Sequence, residues 1–269
     1  MTVARRIGPA RARATTAIAV LARREWLRLF RQPPRVVAAL GTALMLWLVV
    51  GGGLGGSMQV ASTGPAADAL GQIPYSLYLV PGVMTVVAMF ASIFSNISVI
   101  EDRREGFLQG ILVAPVPHAS IAAGIIVGGS TVAGAQAALM LPLAWLAGAS
   151  VDLPRALLAL VGVLLAAISL QSLGLAFAWR CRDAGSFHAV MNLLFMPLWL
   201  LSDAFFPVRG AAEPLATIIR WNPLSWCGSV VRDALIGSQG LPWPALIGAA
   251  FFAALAFAAA VLAVAGGRR

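Results

Sequence analysis

Apolar residues along this chain fall into long runs, and polar residues gather between them. Six runs are long enough to cross a bilayer as helices, approximately Val36–Gly56, Tyr78–Ile100, Ala119–Leu146, Leu157–Trp179, Phe187–Phe206 and Ala245–Ala265. At about 1.5 Å of rise per residue, each can traverse roughly 30 Å of hydrocarbon. The third run is over-long and contains Pro142, which predicts a tilt or a kink.

The segments between the runs carry their own patterns. From Ile18 to Phe30, Ile18, Ala22, Trp26, Leu29 and Phe30 fall on one broad helical face and Arg24, Arg28 and Arg31 on another. A basic helix with Trp on its apolar side predicts a segment lying in the membrane interface. Pro33-Pro34 then turns the chain into the first span. Residues 1–35 lack the pattern of a cleavable signal, because the apolar piece Ala17–Ala22 is short and arginines follow it at once. They read as a basic tail plus an interfacial helix, followed by a transmembrane domain over 36–265.

Between the second and third runs stands Glu101–Pro117. Glu101, Asp102, Arg103, Arg104 and Glu105 are all ionisable, and Phe107, Leu108, Ile111 and Leu112 follow at helical spacing until Pro115 and Pro117. Such a loop suits a surface that receives force from a cytoplasmic partner. The pattern equally admits a solvated turn. Before the last run, residues 207–244 are too apolar for a flexible loop and too broken by Pro207, Pro214 and Pro223 for a span. Two short helices near Glu213–Arg220 and Ser225–Leu235, re-entering the outer leaflet against protein, fit this stretch, with a plain outer loop as the alternative.

Composition sharpens the picture. The 269 residues are 60% hydrophobic and 11% charged, with mean hydropathy +0.88, which places the chain among all-α polytopic membrane proteins. All 19 positive residues are arginine. Without lysine there is no P-loop ATP site and no Schiff base on this chain. The net charge of +9 is spread along the topology rather than gathered on one basic domain, which argues against nucleic-acid binding. With the N-terminus inside, 15 arginines fall on the cytoplasmic side and four outside, so both termini are expected in the cytoplasm.

Little chemistry is on offer. Cys181 and Cys227 lack metal-ligand spacing and are expected across the bilayer from each other, as are Ser150 and His188, which excludes a nucleophile–base dyad. Asp203 is the clear ionisable residue inside a run, either facing a wet vestibule or paired with Arg209. The pairs Gly51/Gly55, Gly52/Gly56 and Gly124/Gly128 have the spacing of close helix contacts, though chance pairs are common among 27 glycines. No internal repeat is visible.

Gly106–Ser120, GFLQGILVAPVPHAS, resembles the signature of ABC-2-type permeases, the membrane subunits of bacterial ABC exporters. Pro197, Phe205-Phe206-Pro207, Pro214-Leu215, Asn222-Pro223-Leu224, Arg232 and Leu235 follow in that family's order. The resemblance spans about residues 18–265 and departs at Gly124-Ile125, His118 and Asp203, where the family carries Gly-Lys, Arg and Gly. It implies a permease of the bacterial cytoplasmic membrane, without its own ATPase or cofactor. Two copies, or this chain and a sister permease, would pair with ATPase subunits that hold ATP and Mg. Glu101–Pro115 would be the coupling segment, the helix bearing Arg24, Trp26, Arg28 and Phe30 the gate helix, and Phe205, Phe206, Pro207, Asn222 and Pro223 part of an outer gate. The cargo would be a hydrophobic or amphipathic drug, antibiotic, lipid or lipid-linked glycan. An ATPase-independent transporter or channel, or a membrane scaffold, remains the alternative.

Overall fold

The computed structural model describes residues 10–53, 59–61, 72–112, 116–204, 208, 211–237 and 241–266. Helices dominate: α1 (Ala10–Arg31), α2 (Pro33–Leu46, continued by a π-helical Trp47–Gly52), α3 (Tyr75–Tyr78), α4 (Val80–Arg104), α5 (Phe107–Leu112) and α6 (His118–Ala138). They are followed by α7 (Pro142–Leu146), α8 (Leu153–Ala178), α9 (Ala184–Leu200), α10 (Glu213–Trp221), α11 (Pro223–Leu235) and α12 (Trp243–Gly266). Before α3, β1 (Gln59–Ala61) pairs antiparallel with β2 (Gln72–Pro74), Val60 opposite Ile73. The apolar runs gave no hint of this pair.

Among the described residues, five helical stretches are long and apolar enough to cross a membrane: Pro33–Gly52, Tyr75–Arg104, His118–Leu146, Leu153–Ala178 and Trp243–Gly266. The third breaks at a turn over Leu139–Leu141, because Pro142 offers no N–H to continue the ladder. The expected fifth span is shorter than its apolar run suggested. α9 has 17 residues and ends at Leu200 rather than Phe206, which gives about 26 Å of helix. Asp183 caps its start, accepting from Ser186 N at 2.8 Å. Its end is closed by Asn222, whose Nδ2 donates to the carbonyls of Leu198 and Leu201 at 2.6 and 2.9 Å.

α4 is the axis of the bundle. Of its apolar window 89% is buried, against 17% for α2, which leans on the outside of the assembly. α8, α6, α2, α9 and α11 surround α4, and α12 closes the far side against α8, α11 and α6. α12 meets its neighbours through small side chains, with Ala249, Ala253, Ala256, Ala260 and Ala263 buried along one face. The short helices expected before the last span are present as α10 and α11, joined at Asn222, whose Oδ1 accepts from Leu224 N at 2.9 Å to cap α11 with Pro223 in its first turn.

Of the glycine pairs, Gly124/Gly128 makes a contact that explains it. A Cβ on Gly124 would lie 2.9 Å from Leu21 Cβ, and one on Gly128 would lie 2.8 Å from Ala22 Cα. The two glycines cut a groove in α6 in which α1 is seated over successive turns. α1 is therefore docked along a membrane helix instead of resting on lipid alone, with Trp26 Nε1 donating to Thr131 Oγ1 at 3.1 Å.

Candidate functional site

The end of the bundle where α4 gives way to α5 carries a dense set of charges. Asp102, in the last turn of α4, is 4% exposed. A carboxylate so buried needs compensation, and two arginines from α1 supply it. Arg24 binds both its oxygens at 2.5 Å, and Arg28 donates to Oδ1 at 2.7 Å. Arg28 also reaches Glu25 Oε1 at 3.3 Å, while Ser95 donates to Glu25 Oε2 at 3.2 Å. Burial pushes the Glu25 carboxyl above its ordinary range, with Arg28 and Ser95 pulling it back. Arg35 donates to Ser98 Oγ at 2.7 Å and Glu101 Oε2 at 3.3 Å. Arg103 donates to the carbonyls of Trp179 and Cys181, closing the end of α8.

Phe30, expected with Trp26 on the apolar side of an interfacial helix, is 74% exposed at the protein surface. Arg24 and Arg28, expected together on the basic side, face Asp102 across the helix packing. The cause is the carboxylate on α4, which lies more than seventy residues away and draws the basic face inward. Asp102 is likewise no docking charge, because it is spent inside the permease.

α5 follows a turn at Gly106, whose φ of 80° is a left-handed conformation suited to glycine. Leu108 is 2% exposed and packs with Leu21, Val99, Ile121 and Ile125, and Ile111 lies partly buried against the same cluster. The expectation that Leu108 and Ile111 face a partner is thus corrected: they seat α5 on its own bundle. What remains outward is Arg104, Glu105, Phe107 and Gln109. Phe107 is 45% exposed, and the Arg24 guanidinium stands 4.0 Å from its ring centroid. The Leu112 side chain lies outside the described residues.

At the opposite end, Asp203 is 5% exposed and bonded to Arg232 rather than open to a wet vestibule, while Arg209, the other partner expected, lies outside the described residues. Arg232 also donates to the Asp203 carbonyl at 2.7 Å and stacks 4.4 Å from the Tyr78 ring centroid. Tyr78 OH donates to that carbonyl at 2.7 Å, and Ser229 donates to Asp203 Oδ2 at 3.1 Å. Gly228 makes the room: a Cβ there would stand 2.8 Å from Asp203 Oδ1. This cluster pins α11 to α3 and the end of α9. Phe205, Phe206 and Pro207, expected in the outer gate, lie outside the described residues. Asn222 and Pro223 are present as the joint between α10 and α11 described above. Sequence reading gave no role to Glu25 or Tyr78 and met Arg232 only in the family-like order. Glu25 carried one signal, as the lone acid in a basic stretch.

A bundle of apolar helices, a charged end bearing one short seated helix and a helical pair at the other end define the class: a mostly helical, multi-pass membrane protein. The family model for the ABC-2 type transporter matches residues 16–236, well over half of the chain, and the chain belongs to that family. A comparison with curated proteins finds no match.

Proposed function

We propose that this chain is the permease subunit of an ABC exporter, driven by a separate ATPase that docks on the outward face of α5. The observation that carries this reading is the division of α5. Leu108 and Ile111 fix it to the bundle, while its Phe107 and Gln109, with Arg104 and Glu105 just ahead of it, stay outward beside the Asp102 charge cluster. A helix held from beneath and open above can pass a push into the bundle. The family implies an ATPase partner and a paired permease. The cell setting that fits is the bacterial cytoplasmic membrane, with α5 and both termini inside. A hydrophobic or amphipathic cargo suits the scarcity of charge in the spans. An ion-coupled transporter is less well supported, since the buried acids Glu25, Asp102 and Asp203 each face an arginine.

The test separates the two faces of α5. Phe107→Ala with Glu105→Arg changes only outward side chains and is expected to leave membrane abundance normal. It should weaken co-purification of the ATPase at least tenfold, equivalent to about 1.4 kcal/mol, and abolish export. Leu108→Ala opens a cavity beneath α5, costing about 2–5 kcal/mol, and should reduce abundance instead. A well-expressed double variant that retains wild-type ATPase binding would sink the docking reading.

A further inference from the structure

One side of α1 is left uncovered by its packing. The inner side is committed: Gly124 and Gly128 seat Leu21 and Ala22, and Arg24 and Arg28 hold Asp102. On a helical projection, Val20, Arg23, Leu27, Phe30 and Arg31 gather within about 100° of arc on the face turned away from Glu25. Each of them is exposed, Val20 at 60%, Leu27 at 46% and Phe30 at 74%. Arg23 and Arg31 make no ion pair with any described residue, whereas Arg24, Arg28 and Arg35 are each bonded to a carboxylate. The stripe holds no acid. Glu25, the one acid within residues 1–35, is buried on the opposite side, and ahead of the stripe the sequence adds Arg5, Arg6, Arg11 and Arg13.

Apolar side chains interleaved with unpaired cations fit a partner that offers hydrocarbon and negative charge at one surface. Chain connectivity says where that partner is. Phe30 and Arg31 stand just ahead of Pro33, where the first of the membrane-crossing stretches begins, so the stripe is tethered at a bilayer surface. We propose that this outer stripe of α1 seats on negatively charged phospholipid in the leaflet at its end of the bundle, with Val20, Leu27 and Phe30 entering the acyl boundary and Arg23 and Arg31 meeting headgroup phosphates. The two arginines are eight residues apart in the sequence, about 12 Å along the helix. That span exceeds one headgroup, so the partner is a patch of anionic lipid rather than a single bound molecule. A zwitterionic headgroup sets an ammonium beside its own phosphate, whereas an anionic one leaves its charge to the guanidinium. The other side of the same helix carries the contacts to Asp102, so lipid held against the stripe also holds Arg24 and Arg28 in place. None of this rests on the ATPase reading.

The experiment uses the full chain in nanodiscs of phosphatidylcholine, with and without phosphatidylglycerol. Arginine modification by phenylglyoxal is followed residue by residue by mass spectrometry, with the exposed Arg180 and Arg182 between α8 and α9 as internal references. Phosphatidylglycerol is expected to slow modification of Arg23 and Arg31 at least fivefold relative to the references, about the factor an arginine contributes at an anionic surface. The protection should vanish in about 1 M salt, where charges are screened beyond roughly 3 Å. Melting supplies the second readout. The wild type should melt about 3 °C or more higher in the anionic discs, and Arg23→Gln with Arg31→Gln should lose most of that rise while melting like wild type in phosphatidylcholine. Arg23→Lys with Arg31→Lys keeps both charges and should keep the rise. Equal modification in the two discs, or a rise that survives the glutamine changes, would overturn the proposal. So would a lowered melting temperature of the glutamine variant in phosphatidylcholine, which would mean that the two arginines hold the protein and not the lipid. Protection seen only when the ATPase is added to phosphatidylcholine discs would assign the stripe to that protein and overturn the lipid reading. Loss of ATPase docking on α5 with lipid protection intact would overturn the permease reading alone.

Discussion

Asp203 and Arg232 show how a charge inside an apolar bundle constrains single substitutions. Removing one partner of a buried ion pair leaves the other charge uncompensated, at a cost of about 3–5 kcal/mol. Asp203→Asn is therefore expected to lower the melting temperature and membrane abundance. Asp203→Asn with Arg232→Met should recover much of the loss. Unchanged melting of the single variant together with altered transport would instead assign Asp203 a transport role. Glu25 makes a different prediction, on pH. Its carboxyl titrates higher in the folded protein than the ordinary 4.5, so the folded state binds more protons in the window above 4.5. The sign follows: its contribution to stability is fully present below 4.5 and is lost as pH rises through the folded value. Arg24, Arg28, Asp102 and Ser95 face the same carboxyl and set how wide the window is. Glu25→Gln should remove this slope from a plot of melting temperature against pH, and identical slopes in both proteins would refute it.

Among the elements, α1 tests how a helix is held by what its neighbour lacks. Gly128→Leu would force a side chain against Ala22 Cα, where only backbone movement relieves the overlap. The expected result is undocking of α1, read as faster tryptic cleavage at Arg23, Arg24 and Arg28 in the purified protein. Unchanged protection would mean that the groove does not hold α1. Most elements were legible from apolar periodicity, since α10 and α11 fall within a few residues of where Glu213–Arg220 and Ser225–Leu235 placed them. The facing of side chains was not. Periodicity told that Arg24 and Arg28 share a face, but only a carboxylate 74 residues beyond Arg28 decides which way that face turns. For Asp203 the fold brings up Arg232, 29 residues away, a pairing no local pattern announced. Leu108 looked like part of a sticky face because nothing local marks which apolar residue of a short helix points down.

For the molecule as a whole, orientation is the property to measure. If α5 faces the cytoplasm, Cys181, partly exposed beside the end of α8, is inside as well. Cys227 is fully buried and cannot report from the other side. A membrane-impermeant maleimide should therefore label neither cysteine on intact cells and should label Cys181 after permeabilisation. Labelling of Cys181 on intact cells would reverse the topology.

The alanine face of α12 has a consequence for register. Ala249, Ala253, Ala256, Ala260 and Ala263 recur at steps of four and three, so a shift by seven residues lays most of the set back upon itself. Alanine has no rotamer to freeze and no shape to interlock, and such a contact holds two helices close without indicating where along each other they belong. The index mark is elsewhere, at Gly248, where a Cβ would lie 2.9 Å from the Trp226 ring. One aromatic ring over one glycine, together with Val264 buried near the other end of the helix, thus sets the alignment of the last helix, while the methyl surface between them supplies adhesion that is blind to position.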